Sequence, residues 1–236
     1  MTDKPLDGRL ALVTGASRGI GAATAIALAA QGAHVVLTGR TVGGLEEVET
    51  AIHDAGGSAT IAPLDLAESE AIARLATAIG DRWDALDILV LDAGMLGSLS
   101  SVPAIDPKEM AQVLTLNVSA QAALIAAFDP MLKKAPSARV IGVTSSVGRK
   151  PRAYWGLYGA SKAAFETLLG AYGDEMAEIS RIRTAIVDPG ATRTKMRARA
   201  YPGEDPASVK EPQVVADRIV ALAIDGFEPG HFERVA

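Results

Sequence analysis

Short apolar runs, rich in β-branched residues, alternate along this chain with longer alanine-rich stretches whose apolar positions recur at helical period. A continuous apolar run of strand length reads as a strand buried on both faces, and an apolar stripe at helical period reads as the helix that covers it. Strands are predicted over 9–14, 33–38, 58–62, 87–91, 138–144, 182–187 and 230–235, and helices over 19–31, 43–55, 68–80, 107–134, 156–178 and 212–224. Strand and helix taking turns in this way call for right-handed crossovers between parallel strands. The expected class is α/β: a doubly wound, seven-stranded parallel sheet with helices on both faces. No linker, internal repeat or low-complexity tract divides residues 1–236, so a single domain is expected. The stretch 192–211, rich in Pro, Gly and charge, is the one long irregular segment, expected to act as a mobile lid over a substrate.

Composition narrows the function without naming it. With 49% hydrophobic and 22% charged residues in 236, the chain can bury a sizeable core. A formal net charge of -5 argues against nucleic acid or an anionic membrane as a general partner. Cysteine is absent, which removes disulfide and thiolate chemistry. His34, His53 and His231 are scattered and lack ligand spacing, so no metal site is expected. The polar start, Met1 to Arg9, has no apolar signal core, and no uninterrupted apolar run is expected to span a bilayer. The expected compartment is the cytoplasm.

Two segments carry candidate chemistry. The first strand, Leu10-Ala11-Leu12-Val13, runs into Thr14-Gly15-Ala16-Ser17-Arg18-Gly19-Ile20-Gly21 and then a helical stretch. Gly15, Gly19 and Gly21 lack a Cβ, so the chain can turn tightly, approach a diphosphate and aim helix-end N–H groups at it. The spacing is Gly-x-x-x-Gly-x-Gly, unlike the usual dinucleotide fingerprint, but it sits between strand and helix as that reading demands. The second segment is Tyr158-Gly159-Ala160-Ser161-Lys162. On a helix, an i,i+4 pair shares one face, which places an ammonium beside a phenol and makes a proton donor and acceptor of the pair.

Taken in order, the glycine turn at 14–21, Asp65, Asn117, Ser146, Tyr158, Lys162 and Pro189-Gly190 resemble the motifs of the short-chain dehydrogenases/reductases over essentially the whole chain. The resemblance implies a Rossmann-type fold and an oxidoreductase that interconverts a small-molecule carbonyl and an alcohol by hydride transfer. Tyr158 is then the general acid/base and Ser146 holds the substrate oxygen. Lys162 lowers the Tyr158 pKa and grips the nicotinamide ribose, and Asn117 shapes a helix bend and holds a water that relays protons to Lys162. Ser145 competes with Ser146, the spacing from Tyr158 favouring the former and the local Ser-Ser-Val pattern the latter; Ser146 is preferred.

The resemblance also implies a cofactor-binding set of Gly15, Ser17, Arg18, Gly19, Ile20, Gly21, Arg40, Asp65, Leu66, Ala93, Gly94, Tyr158, Lys162, Pro189, Gly190, Thr192 and Thr194, with Asp65 bonding the adenine amino group. The second strand ends Leu37-Thr38-Gly39-Arg40, where an NAD enzyme usually carries an acid. Arg40 with Arg18 instead suits a ribose phosphate, so NADP(H) is preferred to NAD(H). The alternative is that both arginines are solvated turn residues. At Leu91-Asp92 the family usually has two asparagines; an ionised Asp92 accepts hydrogen bonds but cannot donate them. That departure keeps open a second reading, a catalytically silent NADP(H)-binding sensor or scaffold. An epimerase on the related extended fold would need a larger C-terminal substrate domain than this chain provides.

Substrate identity is less legible. Arg149, Lys150, Arg152, Arg193, Lys195, Arg197 and Arg199 flank the expected cleft and either guide an anionic substrate or acidic carrier, or are ordinary solvated charges. Tyr154, Trp155, Met95, Leu96, Met196 and Tyr201 are candidates for an apolar pocket. Small residues on 107–134 and 156–178, with the resemblance, imply a homodimer or homotetramer built on those helices.

Overall fold

A computed structural model describes residues 4–236. Its strands are Leu10–Thr14 (β1), His34–Gly39 (β2), Ser58–Pro63 (β3), Ile88–Leu91 (β4), Arg139–Val143 (β5), Arg183–Asp188 (β6) and His231–Arg234 (β7). Successive side chains on a strand point to opposite faces, so a strand covered on both sides is apolar throughout. Ala11 and Val13 of β1 enter one core and Leu10 and Leu12 the other. The same division separates Val35 and Leu37 from Val36, Ile88 and Val90 from Leu89 and Leu91, and Ile141 and Val143 from Val140. All seven strands form one parallel sheet in the order β3-β2-β1-β4-β5-β6-β7.

The helices are Gly19–Ala30 (α1), Val42–Asp54 (α2), Ser69–Gly80 (α3), Pro107–Leu114 (α4), Ala120–Lys134 (α5), Ser146–Arg149 (α6), Gly156–Ala177 (α7), Lys195–Ala200 (α8) and Pro212–Asp225 (α9). Leu28 of α1, Leu45 and Ile52 of α2 and Ile219 of α9 fill the first core; Ile72 of α3, Phe128 of α5 and Phe165 and Leu169 of α7 fill the second. The strand order reverses between β1 and β4, which opens a crevice at the carboxyl ends of the central strands.

Two expectations are corrected. The helix predicted over 107–134 is interrupted by a π-turn at Thr115–Ser119, which turns Asn117 into the protein. That stretch is long and apolar enough to cross a membrane by length and composition, although polar residues interrupt it and no uninterrupted apolar run spans it. It carries buried Asn117 and Gln121, and α5 is tied to α7 by the Tyr172 hydroxyl, which donates to Asp129 at 3.0 Å. The segment 192–211 is less irregular than its composition suggests. The Thr194 Oγ1 caps α8 by accepting the Arg197 amide at 3.1 Å, Arg197 donates to Glu204 through Nε at 2.6 Å, and Thr192 pairs with Lys210 at its base.

Candidate active site

The crevice holds a cavity of about 1170 Å³ bounded by the turns after β1, β2, β4, β5 and β6. Its first half is built by the glycine turn. Gly15 sits at φ +69, the left-handed region that a side chain disfavours. A Cβ on Gly21 would lie 2.5 Å from the Gly15 carbonyl oxygen and 2.8 Å from Asp92 Oδ2, so Gly21 packs behind the turn and does not line the cavity. Thr14, overlooked in the sequence, fastens the floor: its hydroxyl donates to the Val90 carbonyl at 3.1 Å and accepts the amides of Asp92 and Ala93 at 3.0 and 3.1 Å. The signal was a hydroxyl at the end of an otherwise apolar strand, directly before the glycine turn.

Gly15, Ser17, Arg18, Gly19 and Ile20 line this half, at the N-terminus of α1, whose free amides suit an anion. Arg40, Asp65 and Leu66 line it from the β2 and β3 ends. Arg40 lies 3.9 Å from Asp65 between largely exposed side chains, a weak pairing that leaves its guanidinium available. Asp65 Oδ1 accepts the Ala67 amide at 3.0 Å, holding the turn ahead of α3. Across the cavity lie Ala93, Gly94, Pro189, Gly190, Thr192 and Thr194. The Thr192 hydroxyl donates to the Pro189 carbonyl at 2.8 Å, and the Thr194 methyl would stand 3.5 Å from a Cβ on Gly19.

The second half centres on α7. Tyr158 and Lys162 both line the cavity and both are buried. Lys162 Nζ donates to the Val143 carbonyl at 2.8 Å and stands 5.8 Å from the Tyr158 ring centroid. Burial pulls its pKa down to about 8 against the raising charges of Asp92 and Glu166. Tyr158 is not lowered as the i,i+4 argument expects: burial foremost, then the charges of Asp92 and Asp188, push the phenol above its ordinary value. Burial likewise pushes Asp92 up to about 6, opposed by Lys162 and by the Gly21 amide that donates to it.

Asn117 is buried beside the cavity and does not line it. Its Nδ2 donates to the Met95 carbonyl and to Ser161 Oγ, both at 2.9 Å, and its Oδ1 accepts the Met95 amide at 2.8 Å. Ser161, a second residue the sequence reading passed over, donates onward to the Tyr158 carbonyl at 2.8 Å. The π-turn is thus bolted to α7 beneath Tyr158.

The cavity takes Ser145, not the preferred Ser146. Ser145 continues the extended backbone of β5 at φ -160, whereas Ser146 opens α6; neighbours leaving a strand project to opposite sides. Met95, Leu96, Trp155 and Met196 form the apolar wall. Tyr201 stacks on Trp155 at 5.7 Å, but Tyr154, at φ +70 and 64% exposed, is outside the pocket. Most of the basic rim is already engaged: Arg149 with Glu166, Arg193 with Glu211, Arg197 with Glu204, and Arg152 with the Tyr201 hydroxyl. Lys195 and Arg199 remain as exposed cations on the cavity wall.

The model of the short chain dehydrogenase family matches residues 9–205, and the chain belongs to that family. It is 38% identical over 210 residues to the uncharacterized oxidoreductase YciK of Escherichia coli K12, covering 88% of this chain and 82% of that one. Among solved structures it resembles a short chain dehydrogenase of Escherichia coli CFT073 complexed with NADPH, at a TM-score of 0.94 and 35% identity over 100% of this chain and 99% of that one. A counterpart from Shigella flexneri 2a, complexed with NADP, matches at a TM-score of 0.94 and 35% identity over 99% of each chain.

Proposed function

We propose that this chain is an NADP(H)-dependent oxidoreductase that interconverts a small-molecule carbonyl and an alcohol, with Tyr158 as general acid and base. The observation that carries this reading is the meeting of Ser145, Tyr158 and Lys162 in the same cavity as the glycine turn, Arg18 and Arg40. The glycine cradle fits a diphosphate, since Gly15 and Gly19, at φ +69 and +60, line the cavity without a Cβ at the N-terminus of α1. Arg18 and Arg40 hold the ribose phosphate that distinguishes NADP from NAD. When bound, the nicotinamide supplies or accepts the hydride.

In reduction, the Ser145 hydroxyl donates to the substrate carbonyl oxygen and fixes it beside the Tyr158 phenol. Tyr158 gives its proton to that oxygen, and its raised pKa keeps it protonated at working pH. Lys162 holds positive charge next to the phenolate that forms. Asn117 acts through Ser161 to hold the Tyr158 turn in register. Met95, Leu96, Trp155 and Met196 receive an apolar substrate body, and the outer faces of α4, α5 and α7 form the contact of a homodimer or homotetramer.

The test follows NADPH and NADH absorbance with ketones, aldehydes, quinones and 3-oxoacyl thioesters, wild type beside Tyr158→Phe. Turnover with NADPH that vanishes in the variant supports the reading. Cofactor binding without turnover across the panel would favour a sensor or scaffold, the role that the Asp92 departure leaves open.

A further inference from the structure

Glu166 is a buried carboxylate for which the proposed chemistry has no use. It is 9% exposed and lies one turn beyond Lys162 on the same face of α7. A buried charge persists in a fold where its partners satisfy it, and both of its oxygens are engaged. Oε1 accepts the Thr144 hydroxyl at 2.5 Å and Oε2 accepts Arg149 Nε at 2.6 Å. Thr144 immediately precedes Ser145, and Arg149 is the last residue of α6. The two contacts therefore bracket the segment that presents Ser145 to the cavity.

The rest of the neighbourhood is arranged around this carboxylate. A Cβ on Gly148 would stand 3.0 Å from Oε1, so a glycine leaves it room. The Arg149 guanidinium lies 3.4 Å from the Phe232 ring centroid on β7, which fixes the cation from its other side. Lys162 adds a third tie from α7 to the same stretch through the Val143 carbonyl.

We propose that Glu166 is a positioning residue for carbonyl reduction: it locks the Thr144-to-Arg149 segment, and so Ser145, to the helix bearing Tyr158 and Lys162, and sets its charge one turn behind Lys162. This rests on the oxidoreductase reading above. The charged groups around Lys162 are Asp92 from the turn after β4, Glu166 from α7 and the titratable Tyr158, with Asp188 at the end of β6 acting on Tyr158. Glu166 itself faces Arg149 from α6 and the neutral Thr144 from the turn after β5.

Three variants separate geometry from charge. Glu166→Gln keeps the shape and an acceptor for Thr144 but removes a charge that raises the Lys162 pKa, so the alkaline limb of kcat/KM moves to lower pH. Arg149→Gln leaves Glu166 unbalanced and moves that limb to higher pH. Thr144→Val keeps the charge, leaves the limb in place and lowers kcat about tenfold through Ser145 misplacement. NADPH affinity, read by fluorescence quenching, stays within about twofold of wild type in all three.

Limbs that do not move, or that move in the same direction in Glu166→Gln and Arg149→Gln, overturn the proposal; so does a loss of NADPH affinity matching the loss of kcat. Should Glu166→Gln not fold, the Arg149→Gln limb and the Thr144→Val kcat decide alone. A wild type that turns over no carbonyl in the panel defeats the oxidoreductase reading, and the positioning role with it, whereas an active wild type with unmoved limbs defeats the positioning role only.

Discussion

Tyr158 is held protonated by its burial and by the carboxylates of Asp92 and Asp188. Tyr158→Phe removes the proton and leaves the packing, so kcat should fall by roughly 10²–10⁴ with NADPH binding retained, measured by steady-state kinetics beside fluorescence titration. Arg18→Ala with Arg40→Ala should cost NADPH more than tenfold in affinity, since each charge-assisted hydrogen bond is worth about 1.5–3 kcal/mol, and NADH much less. Equal losses for both cofactors would mean that the arginines do not read the ribose phosphate. Spacing revealed Tyr158 and Lys162, because an i,i+4 pair is a property of the helix alone. What Lys162 touches was not legible: its partner, the Val143 carbonyl, is supplied by a strand distant in sequence. Ser145 and Ser146 were indistinguishable for a related reason, since which neighbour faces the cavity depends on where β5 hands over to α6. Glu166 gave no signal at all, because a lone Glu in a helix reads as a solvated residue until Thr144 and Arg149 are brought against it.

At the scale of elements, the central strands were the most legible because the sheet is covered there on both faces and β1, β4 and β5 are largely apolar, whereas the edge strands β3 and β7 carry polar residues. The family resemblance implied a bend at Asn117, but helical periodicity alone reads 107–134 as one helix, because the cause of the π-turn is tertiary: the Asn117 bonds to Met95 and Ser161. The β2–β3 edge carries a pH-sensitive joint. His34 sits between Ser58 Oγ at 3.0 Å and Thr60 Oγ1 at 2.9 Å, and burial, then the charges of Arg82 and His53, lower its pKa below 6.5. With the folded pKa depressed, the unfolded chain binds more protons below pH 6.5, so this contribution to stability is present above that value and is lost as pH falls through the folded pKa. Thermal melts between pH 7.5 and 5 should show Tm of wild type falling more steeply than Tm of His34→Gln. Parallel curves would assign the acid sensitivity to other groups.

For the whole molecule, the sheet divides the interior into two cores, and α5 and α7, which cover the second, also present an outer face. Leu168 is 38% exposed on α7, and less than half of the apolar stretch within 107–134 is buried within the chain. Light scattering at micromolar concentration should therefore report a dimer or tetramer, and Leu168→Glu should shift it toward monomer with an unchanged far-UV spectrum. A wild-type monomer would rule out the assembly. The segment between Thr192 and Lys210 is joined to itself at the base and held at mid-length by Arg197 and Glu204. Residues 195–208 are a cassette with few outside ties, meeting the rest of the cavity wall through Met196 and through Tyr201 on Trp155 and Arg152; in the proposed enzyme, grafting the equivalent stretch from a relative together with those two partners should change the ranking of carbonyl substrates by kcat/KM while leaving NADPH affinity to the host.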